Sequence, residues 1–67
     1  MTIWYTKHAR ERMAQRQISD NQVQNCLRSP EVTYPDGHGN MNFVCGGIRV
    51  VALVDNTTRK VITVVRL

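Results

Sequence analysis

The chain has 67 residues, enough for one domain with a thin hydrophobic core. Its 42% hydrophobic and 21% charged residues are typical of a globular chain and exclude a disordered one. Nine Lys and Arg against five Asp and Glu give a net charge of +4. This balance predicts an acidic partner, either RNA or an acidic protein, although a solvated basic surface without a partner would have the same composition.

The first strand signal is the β-branched and aromatic segment Thr2–Tyr5. Trp4 and Tyr5 could stack on bases, but near the start of a small domain we expect them to complete the core. Thr6 is placed to cap a helix over residues 7 to about 17, in which Ala9 and Met13 form the inner stripe.

A second helix is predicted to begin after Ser19, because Ser19 and Gln22 have the spacing of a capping box. Val23, Cys26 and Leu27 recur at helical spacing and predict one buried face. Pro30 ends the helix, since the residue before a proline avoids helical backbone angles.

From residue 31 onward the apolar pattern becomes that of strands. Short strands are predicted at 32–34, 41–45, 48–54 and 61–67, with Gly46-Gly47 as a two-residue hairpin turn and 55–60 as the next turn. The segments 50–54 and 61–65 are apolar on both faces and belong in the middle of the sheet. The predicted class is α+β, with order β-α-α-β-β-β-β and two helices on one face of a small twisted antiparallel sheet, as a single domain over 1–67.

The amino-terminal segment has no apolar run, so we expect no signal peptide, no membrane association and a cytoplasmic protein. The thin core makes a homodimer a reasonable expectation. Cys26 and Cys45 match no zinc or redox spacing and are predicted to be buried apolar side chains. With His8 and His38 they form no metal motif, and no metal or cofactor is predicted.

The densest chemistry lies on the first helix. His8, Arg12 and Arg16 are four residues apart and line one edge of it, with Lys7 and Arg10 nearby. Arginines can hold a phosphate, and a histidine can exchange a proton near neutral pH. These residues suit metal-free cleavage of a phosphodiester. Equally, His8 could be a structural residue and the arginines could pair with the acidic groups Glu11, Asp20 and Glu31.

The segment His8-Ala9-x-x-Arg12-Met13-x-x-Arg16-x-Ile18-Ser19, followed by Ser29-Pro30-Glu31 and the closing Val61-Ile62-Thr63-Val64-Val65, resembles small bacterial and phage domains of undefined function. These are similar to RelE/ParE-type toxins in the barnase–RelE-like ribonuclease superfamily. The family usually has glycine where this chain has Gln17, which predicts that the turn between the helices is made differently here.

The resemblance implies a RelE-like fold and a toxin-type ribonuclease without a metal, with His8, Arg12, Arg16 and Thr63 as the catalytic group. Its partner would be RNA or an acidic antitoxin. Lys7, Arg10, Arg49, Arg59 and Lys60 are candidate contacts to the nucleic acid or partner. The alternative is a non-catalytic basic binding protein, such as a phage-encoded, anti-CRISPR-like inhibitor of a host defence complex. A DNA-binding regulator is disfavoured because the second helix has a single basic residue, Arg28.

Overall fold

Two helices and five strands follow one another in the predicted order in the computed structural model, which describes residues 1–67. The elements are β1 (Thr2–Tyr5), α1 (Lys7–Arg16), α2 (Asp20–Arg28), β2 (Val32–Pro35), β3 (Met41–Cys45), β4 (Ile48–Asp55) and β5 (Thr58–Arg66). They form one five-stranded sheet in the order β1-β5-β4-β3-β2. β4 and β5 are inner strands of this sheet, which confirms the prediction that their apolar segments lie in its middle.

The prediction of an antiparallel sheet is wrong for one pair, since β1 runs parallel to β5. The first strand leads directly into α1, and it pairs with the last strand of the chain rather than with a neighbour in sequence. The last turn is also shorter than expected. It consists of Asn56 and Thr57, because Asn56 adopts a left-handed conformation with φ of 53° that asparagine tolerates well.

Both helices cover one face of the sheet and enclose the core. Ala9 and Met13 of α1 and Val23, Cys26 and Leu27 of α2 are buried, as predicted. They join a cluster with buried side chains of the sheet: Phe43, Ile48, Val50, Ala52, Val61 and Val64. Side chains alternate along a strand, except that a bulge in the pairing of β4 with β5 puts both Val61 and Val64 on the helix side although they are three residues apart. The alternate positions of the strands point to the opposite face, which no helix covers. We call that face the open face.

The local signals for the helix starts are confirmed. Thr6 accepts a hydrogen bond from the amide of Ala9, and Ser19 and Gln22 form both bonds of the capping box. Gly46 and Gly47 both have positive φ, as a tight hairpin turn requires. Neither helix is long and apolar enough to cross a membrane.

The turn between the helices is made by Gln17 in the left-handed conformation, with φ of 54° and ψ of 47°. This is the conformation that glycine adopts most readily, so the expectation of a different turn is wrong. The Ile18 amide donates to the Met13 carbonyl at 2.9 Å, which is the long bond of a Schellman motif. Ile18 is buried, and its burial holds Gln17 in place despite the strain.

Replacing Gln17 with glycine is expected to raise the free energy of unfolding by about 0.5–1 kcal/mol, because the strain of a Cβ in this conformation costs about 1–2 kcal/mol and the added chain entropy of glycine offsets part of it. Urea unfolding followed by circular dichroism measures the change. Gln17→Ala is the matched control and should show no gain, since alanine keeps the Cβ. A loss of stability in Gln17→Gly would contradict the expectation.

Candidate functional site

Helix α1 lies along the part of β5 that has no strand beside it. β1 pairs with β5 only from Thr58 to Val61, which leaves residues 62–66 unpaired on that side. The Thr6 hydroxyl donates to the Ile62 carbonyl at 3.2 Å, and Arg16 Nη1 donates to the Val64 carbonyl at 2.6 Å. These two bonds satisfy carbonyls that the edge of a sheet would otherwise present to water or to another strand.

Arg66 fixes the end of α1 from the strand side. Its Nε and Nη2 donate to the Arg16 carbonyl at 3.1 and 2.8 Å, and Nη2 also donates to the Gln17 carbonyl at 2.8 Å. A cation at this position satisfies the last carbonyls of a helix and complements its dipole. The sequence shows no sign of this role, because Arg66 and Arg16 are separated by 50 residues.

Arg16 lies on the side of α1 that faces β5. His8 and Arg12 lie on the same side, since the three residues are spaced by four. His8 is exposed, and no hydrogen bond or ion pair engages its ring. Arg12 is half-buried, and its Nη1 donates to Gln15 Oε1 at 2.7 Å. We call His8 and Arg12 the α1 shoulder. Arg12 lies between Thr6 and Arg16 along the chain, and Thr63 lies between their partners on β5, Ile62 and Val64.

Arg10 points to the other side of α1. Its Nη1 forms an ion pair with Asp20 Oδ1 at 3.1 Å, and its guanidinium lies 4.1 Å from the centre of the Tyr5 ring. Burial, helped by the charge of Asp20, raises the pKa of Tyr5, so its phenol stays neutral. Arg10 therefore joins the two helices and is separate from the α1 shoulder. Lys7 is exposed in the first turn of α1.

The open face has four rows of side chains that run across the strands. The first contains Thr2, Thr58 and Asp55, and the second contains Trp4, Lys60 and Leu53; the third contains Thr63, Val51, Asn42 and Tyr34, and the fourth contains Val65, Arg49, Val44 and Val32. Two of these residues, Lys60 and Arg49, are cationic, and one, Asp55 at the end of β4, is acidic. The open face therefore has an excess of positive charge.

Thr63 and Arg49 are close neighbours on the open face. Thr63 is opposite Val51, while Arg49 is two residues before Val51 on the same strand. Val44 and Val65 flank Arg49, and its buried Nε has no hydrogen-bond partner within the protein. A guanidinium held among valines with an unused donor is suited to an anionic ligand.

Trp4 is 61% exposed on this face, so the expectation that it completes the core is wrong, whereas Tyr5 is half-buried beside the helices. Trp4 faces away from the helices because it alternates with Tyr5 along β1. Its opposite neighbour on β5 is Lys60, which is exposed.

Arg59 closes the last turn of the sheet. Its Nη1 donates to the carbonyls of Asn56 and Thr58 at 2.9 and 3.1 Å. These bonds stabilise the turn and hold the guanidinium against the backbone of the turn. Arg59, like Arg10 and Arg16, is thus engaged in contacts within the protein.

The cysteines offer no activated nucleophile or metal site. Burial, together with the adjacent Cys45, raises the pKa of Cys26 to about 12, and its sulfur lies 3.2 Å from the Phe43 carbonyl. Both cysteines are free, with Cys26 buried and Cys45 half-buried. No group of three or more His, Cys, Asp or Glu side chains could hold a metal ion.

The model of a family described as "Domain of unknown function (DUF4258)" matches residues 5–66. The chain belongs to this family. Among solved structures, a chain of the toxin–antitoxin complex RelBE2 from Mycobacterium tuberculosis is similar, with a TM-score of 0.70 and 19% identity over 98% of this chain and 96% of that one. At this identity the likeness shows a shared fold. A search of curated proteins finds no match.

Within this DUF4258 chain, the structure divides the predicted site residues into two groups. Arg10, Arg16 and Arg59 are held by contacts inside the protein. Of the others, only Arg12 has a side-chain hydrogen bond, to the exposed Gln15. They lie on the α1 shoulder, in the first turn of α1 or on the open face: His8, Arg12, Lys7, Thr63, Arg49 and Lys60. Sequence reasoning missed Gln15, which contacts Arg12, and the exposure of Trp4.

Proposed function

We propose that this protein is a toxin-type ribonuclease that cleaves RNA without a metal ion, using the α1 shoulder and Thr63. The observation that supports this most is the position of α1 along the unpaired part of β5, fixed by the bonds of Thr6 and Arg16. In the proposal, a phosphate at this edge is contacted by Arg12 from the helix and by Thr63 from the sheet.

The chemistry follows from the residue types. His8 accepts the proton of an RNA 2′-hydroxyl, and the 2′-oxygen forms a bond to phosphorus while the bond to the 5′-oxygen breaks. The 5′-oxygen takes a proton from solvent, and a 2′,3′-cyclic phosphate remains. Arg12 holds the developing negative charge and Thr63 donates a hydrogen bond to a phosphate oxygen. Glu11, one turn after His8, is the nearest carboxylate along the helix.

An acidic protein partner is the second part of this proposal. The neighbouring structure is that of a toxin–antitoxin complex, and this chain has a net charge of +4 with a basic open face. An antitoxin with acidic side chains would complement that face and block the approach of RNA. The homodimer expected from the thin core is an additional proposal, which size-exclusion chromatography with light scattering tests.

One observation favours the alternative of a non-catalytic inhibitor. The open face exposes Leu53, Tyr34 and Val32, which suit burial against a protein better than contact with phosphates. Such a protein, for example one that blocks a host nucleic-acid-handling complex, would keep its activity without His8. It would lose activity when Arg49 and Lys60 are both neutralised.

The deciding experiment is a cleavage assay with purified protein, single-stranded RNA and an excess of chelator. We expect fragments that end in a 2′,3′-cyclic phosphate, and no cleavage of a 2′-O-methyl RNA of the same sequence, because the methyl group removes the nucleophile. Cleavage of both RNAs, or cleavage that stops when chelator is added, would contradict the mechanism. Intact RNA in every sample, with ribosome-bound RNA included, would favour the inhibitor.

A further inference from the structure

We propose that Trp4 and Lys60 form a separate binding subsite for single-stranded RNA, in which a base stacks on the indole and the adjoining phosphate contacts the lysine. This inference rests on the proposed function and goes beyond it, because the subsite lies outside the residues that act on the cleaved bond. It assigns a role to the most exposed aromatic side chain of the protein.

The surroundings of Trp4 suit a stacked base. β1 is an outer strand, so Trp4 has a cross-strand neighbour on one side only and open space on the other. The indole is 61% exposed on a face that no helix covers. Stacking of a base on an aromatic ring is worth about 1–3 kcal/mol and suits any sequence.

Charge favours RNA over a protein at this position. The neighbour of Trp4 is the cation Lys60, which forms no ion pair, and the one carboxylate of the open face, Asp55, is opposite Thr58 rather than Lys60. A phosphate next to the stacked base would be within reach of the lysine, as in aromatic and basic platforms for single strands. The other exposed aromatic residue on this face, Tyr34, lies on the opposite outer strand beside neutral Asn42.

The connection to the α1 shoulder supports the same occupant. Trp4 precedes His8 by four residues, and only Tyr5, Thr6 and Lys7 lie between them. β1 and α1 follow each other along the same side of β5. A strand of RNA running along this side would meet Trp4 and Lys60 first and then the shoulder.

Trp4 is the single tryptophan of the chain, so its fluorescence reports on the subsite directly. The protein is titrated with a short 2′-O-methyl oligoribonucleotide, which binds without being cleaved, at low and at high salt. We expect saturable quenching of the fluorescence and weaker binding at high salt. Fluorescence anisotropy of a labelled oligonucleotide gives the affinity of variants that lack the indole.

Trp4→Ala is expected to weaken binding by about 5- to 150-fold, which corresponds to the stacking of one base. Lys60→Gln should weaken binding. It should also reduce the slope of binding affinity against salt concentration by the equivalent of about one phosphate contact. Tyr34→Ala is the matched control: it removes an aromatic side chain from the other outer strand and should leave binding unchanged. Circular dichroism establishes that each variant is folded.

Equal binding by folded Trp4→Ala and wild type would overturn the inference, as would a fluorescence that does not respond to the oligonucleotide. A response only to an acidic protein partner would also overturn it and would assign the surface to that partner. A different outcome refutes the proposed function. Binding that depends on Trp4 without any cleavage of RNA would support the subsite and refute the ribonuclease. Cleavage of RNA together with binding that does not depend on Trp4 would support the ribonuclease and refute the subsite.

Discussion

Cleavage of RNA by the His8→Ala variant is expected to be slower than by the wild type by about 10²–10⁴-fold, the usual contribution of a general base. His8 is exposed in the first turn of α1 and is not bonded to any other side chain. Its loss should therefore leave the fold and the binding of RNA intact. The rate is measured under single-turnover conditions with excess protein, so that chemistry rather than binding limits it.

The protein provides a matched control for this experiment in its second histidine. His38 is also exposed, but it lies in the loop between β2 and β3, where its amide, and not its ring, donates to Asp36 at 2.6 Å. His38→Ala should cleave RNA at the wild-type rate. Equal rates for wild type and His8→Ala would remove His8 from the mechanism, while equal losses in both variants would point to a general effect of removing a surface histidine.

Arg16→Ala is expected to lower the free energy of unfolding by about 1–2 kcal/mol. The variant loses a charge-assisted hydrogen bond to Val64 and leaves that carbonyl without its partner. The expected loss is at the low end of the range for such bonds, because Arg16 is exposed to water and its bond to Val64 is only partly buried. Chemical denaturation measures the change, which is large for a domain of this size.

Arg12→Ala is the control for Arg16→Ala, since it removes the same side chain from the same helix one turn earlier. Arg12 contacts only Gln15 through its guanidinium, so its loss should change stability by no more than about 0.5 kcal/mol. Equal stability of the two variants would contradict the structural role of Arg16. If the expected difference is found, a loss of activity in Arg16→Ala is explained by the fold, and that in Arg12→Ala by the site.

Local features of the fold were predictable from sequence because neighbouring residues determine them. Thr6 and Ser19 cap their helices through bonds within three residues, and Gly46-Gly47 forms its turn through its own backbone freedom. The parallel pairing of β1 with β5 was not predictable. It joins the two ends of the chain and depends on the packing of the whole sheet rather than on any short motif.

The same distinction applies to the candidate site. The spacing of His8 and Arg12 places them correctly on one side of α1, since helical geometry alone decides it. The engagement of Arg16 with Val64 depends on which strand lies beside the helix, 48 residues later in the chain. The exposure of Trp4 likewise depends on the lack of a layer over the open face. An aromatic residue in a short strand gives no indication of which face it will occupy.

The pairing of both β1 and α1 with β5 has a consequence for how the protein acquires its structure during synthesis. The Thr6 hydroxyl donates to a carbonyl 56 residues later, so β1 and α1 cannot dock on β5 until β5 has been synthesised. Contacts between residues far apart in the sequence slow folding. The α1 shoulder is therefore positioned only after translation reaches β5, and a nascent chain without β5 lacks the contacts that hold α1 in place.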